Sequence, residues 1–157
     1  MPIKTMPINK LLKQTVVVAL TLFPLVSTAE ENRVKLPNID DLVHYTTVTR
    51  GEVTEHIMTQ QTTIDALQKG EPAPNGSQFV LVDYRDSRIY RYFVMEKGEN
   101  WGADYPAYRR TDDWQFQWFW GDGSINMDEN TERCQSCHRS QESSEYTYTY
   151  YDLMSFK

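Results

Sequence analysis

The stretch FVLVDYRDSRIYRYFVMEK, residues 79–97, contains two apolar runs on either side of a short polar segment. Residues 79–84 and 89–97 are rich in β-branched and aromatic side chains, which favour extended backbone, and residues 85–88 are typical of a turn. Two such runs joined by so short a connection predict an antiparallel β-hairpin. This hairpin is the centre of the predicted fold.

Three further segments carry strand signals. In residues 114–120, tryptophan and phenylalanine alternate mainly with glutamine, which predicts a strand with one buried face. Residues 45–53 are rich in threonine and valine, with Arg50-Gly51 in the middle, and predict a first strand or hairpin. Tyrosine alternates with threonine in residues 146–150, which predicts one more strand near the C-terminus.

Helical signals are fewer. Thr62 can cap a short helix in which Ile64 and Leu67 share a face and Gly70 follows the last turn. A second short helix is predicted near residues 39–43. The predicted fold class is therefore mainly β (α+β), a single antiparallel β-sheet domain with one to three short helices.

Composition limits the classes of function. The chain has 157 residues, of which 39% are hydrophobic and 13% aromatic, enough for one packed domain. Sixteen Lys and Arg stand against 22 Asp and Glu, a formal net charge of −6 that argues against nucleic acid as the main partner. The two cysteines are too few for a disulfide scaffold.

Residues 1–29 have the pattern of a signal peptide. Three lysines and no acidic residue precede an apolar run at residues 15–26. The small residues Ser27 and Ala29 after the run suit a signal peptidase. The run is interrupted by Pro24 and is too short to span a bilayer, so we expect export to the periplasm and no membrane insertion after cleavage. Cleavage after Ala29 would leave one domain, residues 30–157, with a net charge of −9 because three lysines are removed.

Residues 134–138 read Cys-Gln-Ser-Cys-His, a C-x-x-C-H motif. Two thiols at this spacing can bond the vinyl groups of a haem while the adjacent imidazole binds the iron, so Cys134, Cys137 and His138 predict one covalently attached haem c with His138 as the metal ligand. A thioredoxin-like redox pair, a zinc site and a plain disulfide are the alternatives. The expected export favours haem c, because covalent haem attachment takes place outside the bacterial cytoplasm.

The second face of the iron has no obvious protein ligand. Methionine supplies it in many electron carriers, and Met154, close to the chain end, is the one methionine that follows the motif. Met58, Met95 and Met127 lie upstream and could fold back, but a methionine is most often a core residue. His44 and His56 are isolated histidines of the kind that are usually hydrogen-bonded or exposed. The pattern favours an open face that binds small ligands over a Met-ligated electron carrier.

At this point the chain resembles the cytochrome P-460 family, which includes the cytochrome c′-beta proteins. The likeness is carried by residues 93–98 (FVMEKG), 113–116 (DWQF), the haem motif, residues 145–149 (EYTYT), and residues 66–77 (ALQKGEPAPNGS). The resemblance implies a mainly antiparallel β fold, often dimeric, with haem c bound through His138. It also implies binding of nitric oxide or oxidation of hydroxylamine, and Lys97 matches a lysine that some members join covalently to the porphyrin.

Two functions remain open after the resemblance. As an enzyme, the protein would oxidise hydroxylamine or nitric oxide, pass electrons to a soluble electron-transfer protein, and need a base for the released protons, for which Glu142 and Glu145 are the candidates nearest the motif. The favoured interpretation of both is as solvated surface acids, because glutamate is mostly exposed. As a c′-beta-like protein, it would bind or sense nitric oxide without turnover.

Overall fold

The computed structural model describes residues 32–157, so the predicted signal peptide lies outside the described residues. This part of the chain contains five strands, β1 (Val43–Arg50), β2 (Val53–Thr59), β3 (Gln78–Arg85), β4 (Arg88–Lys97) and β5 (Trp114–Trp120). It also contains three short α-helices, α1 (Gln61–Gln68), α2 (Glu132–His138) and α3 (Tyr150–Ser155). Short 3-10 helices span Ile39–Asp41, Trp101–Asp104 and Arg139–Ser144. None of the described helices is both long and apolar enough to cross a membrane.

The five strands form one antiparallel sheet in the order of the chain, β1-β2-β3-β4-β5. The central hairpin pairs Phe79 with Met95 and Leu81 with Phe93. Asp86 and Ser87 make its turn with φ of 48° and 59°, the left-handed conformation that matches the twist of the two strands. The predicted single antiparallel sheet with short helices is confirmed.

Helix α1 connects β2 to β3 and covers part of the sheet. It begins at Gln61, one residue before the predicted cap Thr62, and Gly70 follows it with a φ of 77°. Ile64 and Leu67 are each 1% exposed and pack into the core, which stabilises the fold by about 1.5–3 kcal/mol per side chain.

Both faces of the sheet are covered. One face packs against the helices in a core that includes Tyr45, Phe79 and Trp114. The opposite face packs against the N-terminal segment, residues 32–42, in a second core that includes Val34 and Val80. The helical face is the one that carries the candidate site.

Strand β5 differs from its prediction, because both of its faces are buried. Gln115 and Gln117 are 0% and 2% exposed although they were expected to face solvent. The N-terminal segment lies against this strand: Asn32 Nδ2 donates to the carbonyl of Phe116 at 2.5 Å, and the backbone N–H of Arg33 donates to Gln115 Oε1 at 3.2 Å. The alternating pattern predicted the strand correctly but did not predict that its glutamine face is also buried.

The strand predicted for residues 146–150 is wrong. Glu145 and Tyr146 have φ of 50° and 57°, and Tyr150 begins helix α3. Two successive left-handed residues cannot continue an extended strand. The alternating tyrosines therefore lie in turns and at a helix start, in the segment that follows the haem motif.

Candidate haem site

Helix α2 brings the residues of the motif together. Cys134 and Cys137 lie three positions apart on the helix, so they share a face, and His138 follows at its last turn. Cys134 is half-buried and Cys137 is exposed. Between them, the fully buried Gln135 accepts a hydrogen bond from Arg109 Nε at 2.9 Å, which ties the helix to the chain before β5.

A cavity of about 490 Å³ lies between this helix and the sheet. Cys134, Cys137 and His138 line it on the helical side. The sheet contributes a mostly apolar wall made of Val48, Ile57, Phe79, Leu81, Phe93 and Met95. Its volume falls in the usual range of cofactor sites, and its lining suits a large flat hydrophobic molecule.

His138 is oriented by a backbone carbonyl. Its Nδ1 lies 2.5 Å from the carbonyl oxygen of Tyr146, so Nδ1 carries the proton and donates, and Nε2 keeps the lone pair that an iron needs. The ring contacts Phe116 at 4.8 Å and Tyr148 at 5.4 Å between centroids. Burial lowers the pKa of His138 below its ordinary value, partly offset by the hydrogen bond to Tyr146, and so favours the neutral form.

The residues present fit a haem c. Burial raises the pKa of Cys134 to about 11, so the thiol stays neutral until it reacts. The cavity also has cationic side chains, Arg50, Arg91 and Arg133, that could pair with the carboxylates of a haem. A zinc site has no support in residues 32–157, which contain no cluster of three or more His, Cys, Asp or Glu suited to a metal ion.

Four charged residues cross the sheet at the end that carries both hairpin turns. Arg50 of β1 pairs with Glu55 of β2, whose register partner on β3 is Asp83, and Arg91 Nε of β4 donates to Asp83 Oδ2 at 2.7 Å. Glu55 is 6% exposed and is the one carboxylate among the described residues that line the cavity. Sequence reasoning missed Glu55, although it alternates with Ile57 and Thr59 on the buried side of β2.

The two glutamates expected from the sequence to act as a base do not line this cavity. Glu142 is exposed and lies in a separate surface depression beside Arg110 and Arg139. Glu145 accepts hydrogen bonds from the backbone N–H of Ala73 at 3.2 Å and from Lys97 Nζ at 3.3 Å.

Lys97 is placed in an ion pair. It lies at the end of β4 with its side chain 11% exposed, and its Nζ is 3.3 Å from Glu145 Oε2 and 3.8 Å from Asp112 Oδ2. Lys97 is not among the residues that line the cavity. A cross-link to the porphyrin stays a prediction, and it would require this ion pair to open.

The other candidate iron ligands differ in whether they line the cavity. Met95 lines the cavity, whereas Met58 packs against the opposite core and Met127 is 48% exposed. His44 and His56 stack on each other with centroids 4.4 Å apart and do not line the cavity.

Comparison with known proteins agrees with the site. The family model described as Cytochrome P460 matches residues 38–149, well over half of the chain, from just before β1 to the start of α3. No curated protein matches the sequence. The matched range includes the whole sheet, the cavity and the C-x-x-C-H motif. The chain belongs to the cytochrome P460 family of c-type cytochromes, and its cofactor is haem c with iron.

Proposed function

We propose that this protein is a periplasmic cytochrome that binds hydroxylamine or nitric oxide in its cavity and oxidises it, with electrons passing to a soluble acceptor. The pattern of residues 1–29 supports export, and membership of the P460 family supports the reaction class. When bound, the haem supplies an iron that holds the ligand and takes its electrons.

The sheet wall of the cavity is the observation that carries this proposal. It faces the helix that bears His138 and is mostly apolar, with a single carboxylate, Glu55, and the cations Arg50 and Arg91 among the described lining residues. Nitric oxide suits the apolar part of this wall, because it loses little hydration when it enters. Hydroxylamine is polar and needs a hydrogen-bond partner there, which the carboxylate of Glu55 can supply.

Glu55 takes the role of proton acceptor in this proposal. Oxidation of hydroxylamine releases protons together with electrons, and a carboxylate that lines the cavity can receive them directly or through one water. Arg50 forms an ion pair with Glu55 and is itself mostly exposed, with 69% of its side chain accessible. Solvent that reaches the exposed Arg50 is therefore close to Glu55 and can take up the protons that Glu55 receives.

A second candidate function is binding of nitric oxide without turnover. The apolar lining of Leu81, Phe93 and Met95 favours it, because such a wall holds a diatomic gas and gives little help to a polar reaction. The two functions differ in whether Glu55 matters for anything beyond folding.

The test compares the holoprotein with Glu55→Gln and with Glu52→Gln, a matched control at the exposed turn three residues away. Hydroxylamine oxidation is followed with an artificial electron acceptor, and nitric oxide binding is followed by optical titration. We expect Glu55→Gln to lower kcat by about 100-fold while nitric oxide affinity changes less than about twofold, since a general base usually contributes that much or more. Glu52→Gln should match the unchanged protein.

Each other outcome selects a different conclusion. Tight nitric oxide binding without any hydroxylamine turnover would establish the non-catalytic function. Turnover that survives Glu55→Gln would remove Glu55 as the base. A low-spin spectrum with neither activity would identify a Met-ligated electron carrier and overturn both candidates.

A further inference from the structure

The segment that orients His138 has an unusual backbone. Its hydrogen bond comes from the carbonyl of Tyr146, and both Tyr146 and Glu145 have left-handed φ values of 57° and 50°. Residues with a Cβ rarely adopt this conformation. In the β3–β4 turn, strand pairing on both sides holds Asp86 and Ser87 in it, whereas Glu145 and Tyr146 are not flanked by paired strands. Something outside the segment must therefore keep the Tyr146 carbonyl aimed at the imidazole.

Local hydrogen bonds supply part of that support. The N–H of Tyr146 donates to the carbonyl of Gln141 at 2.8 Å, and the N–H of Thr147 donates to that of Ser144 at 3.0 Å. These bonds close the turn on itself, but they do not attach it to the sheet. Tyr146 packs against the core on the helical face of the sheet, and Tyr45 Oη of β1 lies 2.6 Å from Thr149 Oγ1 just after the turn. The side chain of Glu145 adds the polar contacts made by the turn itself.

Glu145 reaches two parts of the fold at once. Its Oε1 accepts from the N–H of Ala73, which is 3% exposed and stands between Pro72 and Pro74. Its Oε2 lies 3.3 Å from Lys97 Nζ at the end of β4. The ion pair is well shielded, because the Lys97 and Glu145 side chains are only 11% and 19% exposed, so it holds more firmly than a surface pair.

We infer that the Lys97–Glu145 ion pair positions the iron-binding imidazole, by fixing the left-handed turn whose Tyr146 carbonyl accepts the Nδ1–H of His138. Lys97 and Glu145 are thus positioning residues that act through Tyr146. The carbonyl fixes the tautomer and orientation of the ring and makes Nε2 a stronger donor. This inference rests on His138 as the iron ligand, the part of the proposed function that it deepens, and needs neither hydroxylamine nor turnover.

The experiment uses the ferrous holoprotein and measures the iron–histidine stretching frequency by resonance Raman spectroscopy, with the reduction potential as a second readout. Lys97→Met removes the cation, Glu145→Ala removes both contacts of the carboxylate, and Lys97→Arg keeps the positive charge. Lys69→Met and Glu52→Ala are matched controls at exposed positions. Far-UV circular dichroism and the intact mass verify folding and haem attachment in every variant.

We expect Lys97→Met and Glu145→Ala to lower the stretching frequency and raise the reduction potential, because a histidine that loses its acceptor is a weaker donor to the iron. Lys97→Arg should restore values close to those of the unchanged protein, and both controls should match it. If Glu145→Ala does not mature, the comparison of Lys97→Met with Lys97→Arg decides alone.

An unshifted frequency in a folded Lys97→Met protein would overturn the inference. So would a Lys97→Arg protein that behaves like Lys97→Met and has lost a red-shifted Soret band, because that pair of results marks a cross-linked lysine rather than an ion pair. If the unchanged ferrous protein is five-coordinate and high-spin by its optical spectrum but shows no iron–histidine band, His138 does not bind the iron, and this result separates failure of the proposed function from failure of this inference.

Discussion

Replacing Asp83 by asparagine should destabilise the protein strongly, because Asp83 is a buried charge shared by two arginines. Its side chain is 0% exposed, and Oδ2 accepts from Arg91 Nε at 2.7 Å and from Arg85 Nη2 at 3.3 Å. Asparagine keeps one acceptor oxygen but turns an amide NH₂ toward the arginine donors. The Asp83→Asn protein would therefore contain a buried donor that faces other donors and an arginine without its counter-charge.

The structure sets the size of the effect. Removing one partner of a buried ion pair costs about 3–5 kcal/mol. Arg91 and Arg85 have side chains that are 21% and 42% exposed, so water can replace part of what they lose, which favours the lower limit. We expect a loss of about 3 kcal/mol, and the unfolding entropy of a domain of this size converts that loss to a fall in Tm of about 11 °C.

Urea unfolding of the holoprotein, followed by far-UV circular dichroism, measures this free energy. Arg85→Gln is the matched control, because Arg85 is more exposed and its bond to Asp83 is longer, and it should cost less than about 1 kcal/mol. The m-value should stay constant in both variants. A loss below about 1 kcal/mol for Asp83→Asn, or an equal loss for Arg85→Gln, would refute the reasoning that the buried Asp83–Arg91 pair holds this end of the sheet.

Three further predictions follow from single side chains. Met95→Leu should leave the optical spectra of the holoprotein unchanged, and conversion of a low-spin to a high-spin spectrum would instead reveal Met95 as an iron ligand. Leu153→Ala on α3, at a position that is 0% exposed, should lower the free energy of unfolding by about 3 kcal/mol in urea, whereas Met154→Ala at the exposed neighbour should cost under about 1 kcal/mol. Burial and the neighbouring His44 lower the pKa of His56 below 6.5, so the folded state binds its proton less readily than the unfolded state and stability should fall as pH decreases through about 6.5. His56→Gln should reduce that fall, measured as the difference in Tm between about pH 7.5 and about pH 5.5, and an unchanged difference would count against it.

Local sequence determined much of the sheet. The hairpin of β3 and β4, the strand β5 and the helix α1 are all set by short-range patterns: alternating side chains, a turn that tolerates left-handed backbone, and a glycine after the helix. The segment at residues 146–150 shows the limit of this reasoning, because its alternation resembles a strand while hydrogen bonds to Gln141 and His138 impose turns. Alternation is a weak signal for a strand when the alternating segment is only a few residues long, because a few specific hydrogen bonds can then outweigh its preference for extended backbone.

The haem motif could also be predicted from local sequence, because Cys134, Cys137 and His138 lie within five residues and one helix turn brings them together. The cavity opposite them depends on strands far apart in the chain. No local pattern could show that Glu55 lines it, that Glu142 does not, or that Lys97 reaches Glu145 across 48 positions of the sequence. Spacing along a helix or strand fixes the relative positions of close neighbours, whereas the pairing of distant side chains is decided only when burial of two cores brings the whole sheet and its helices together.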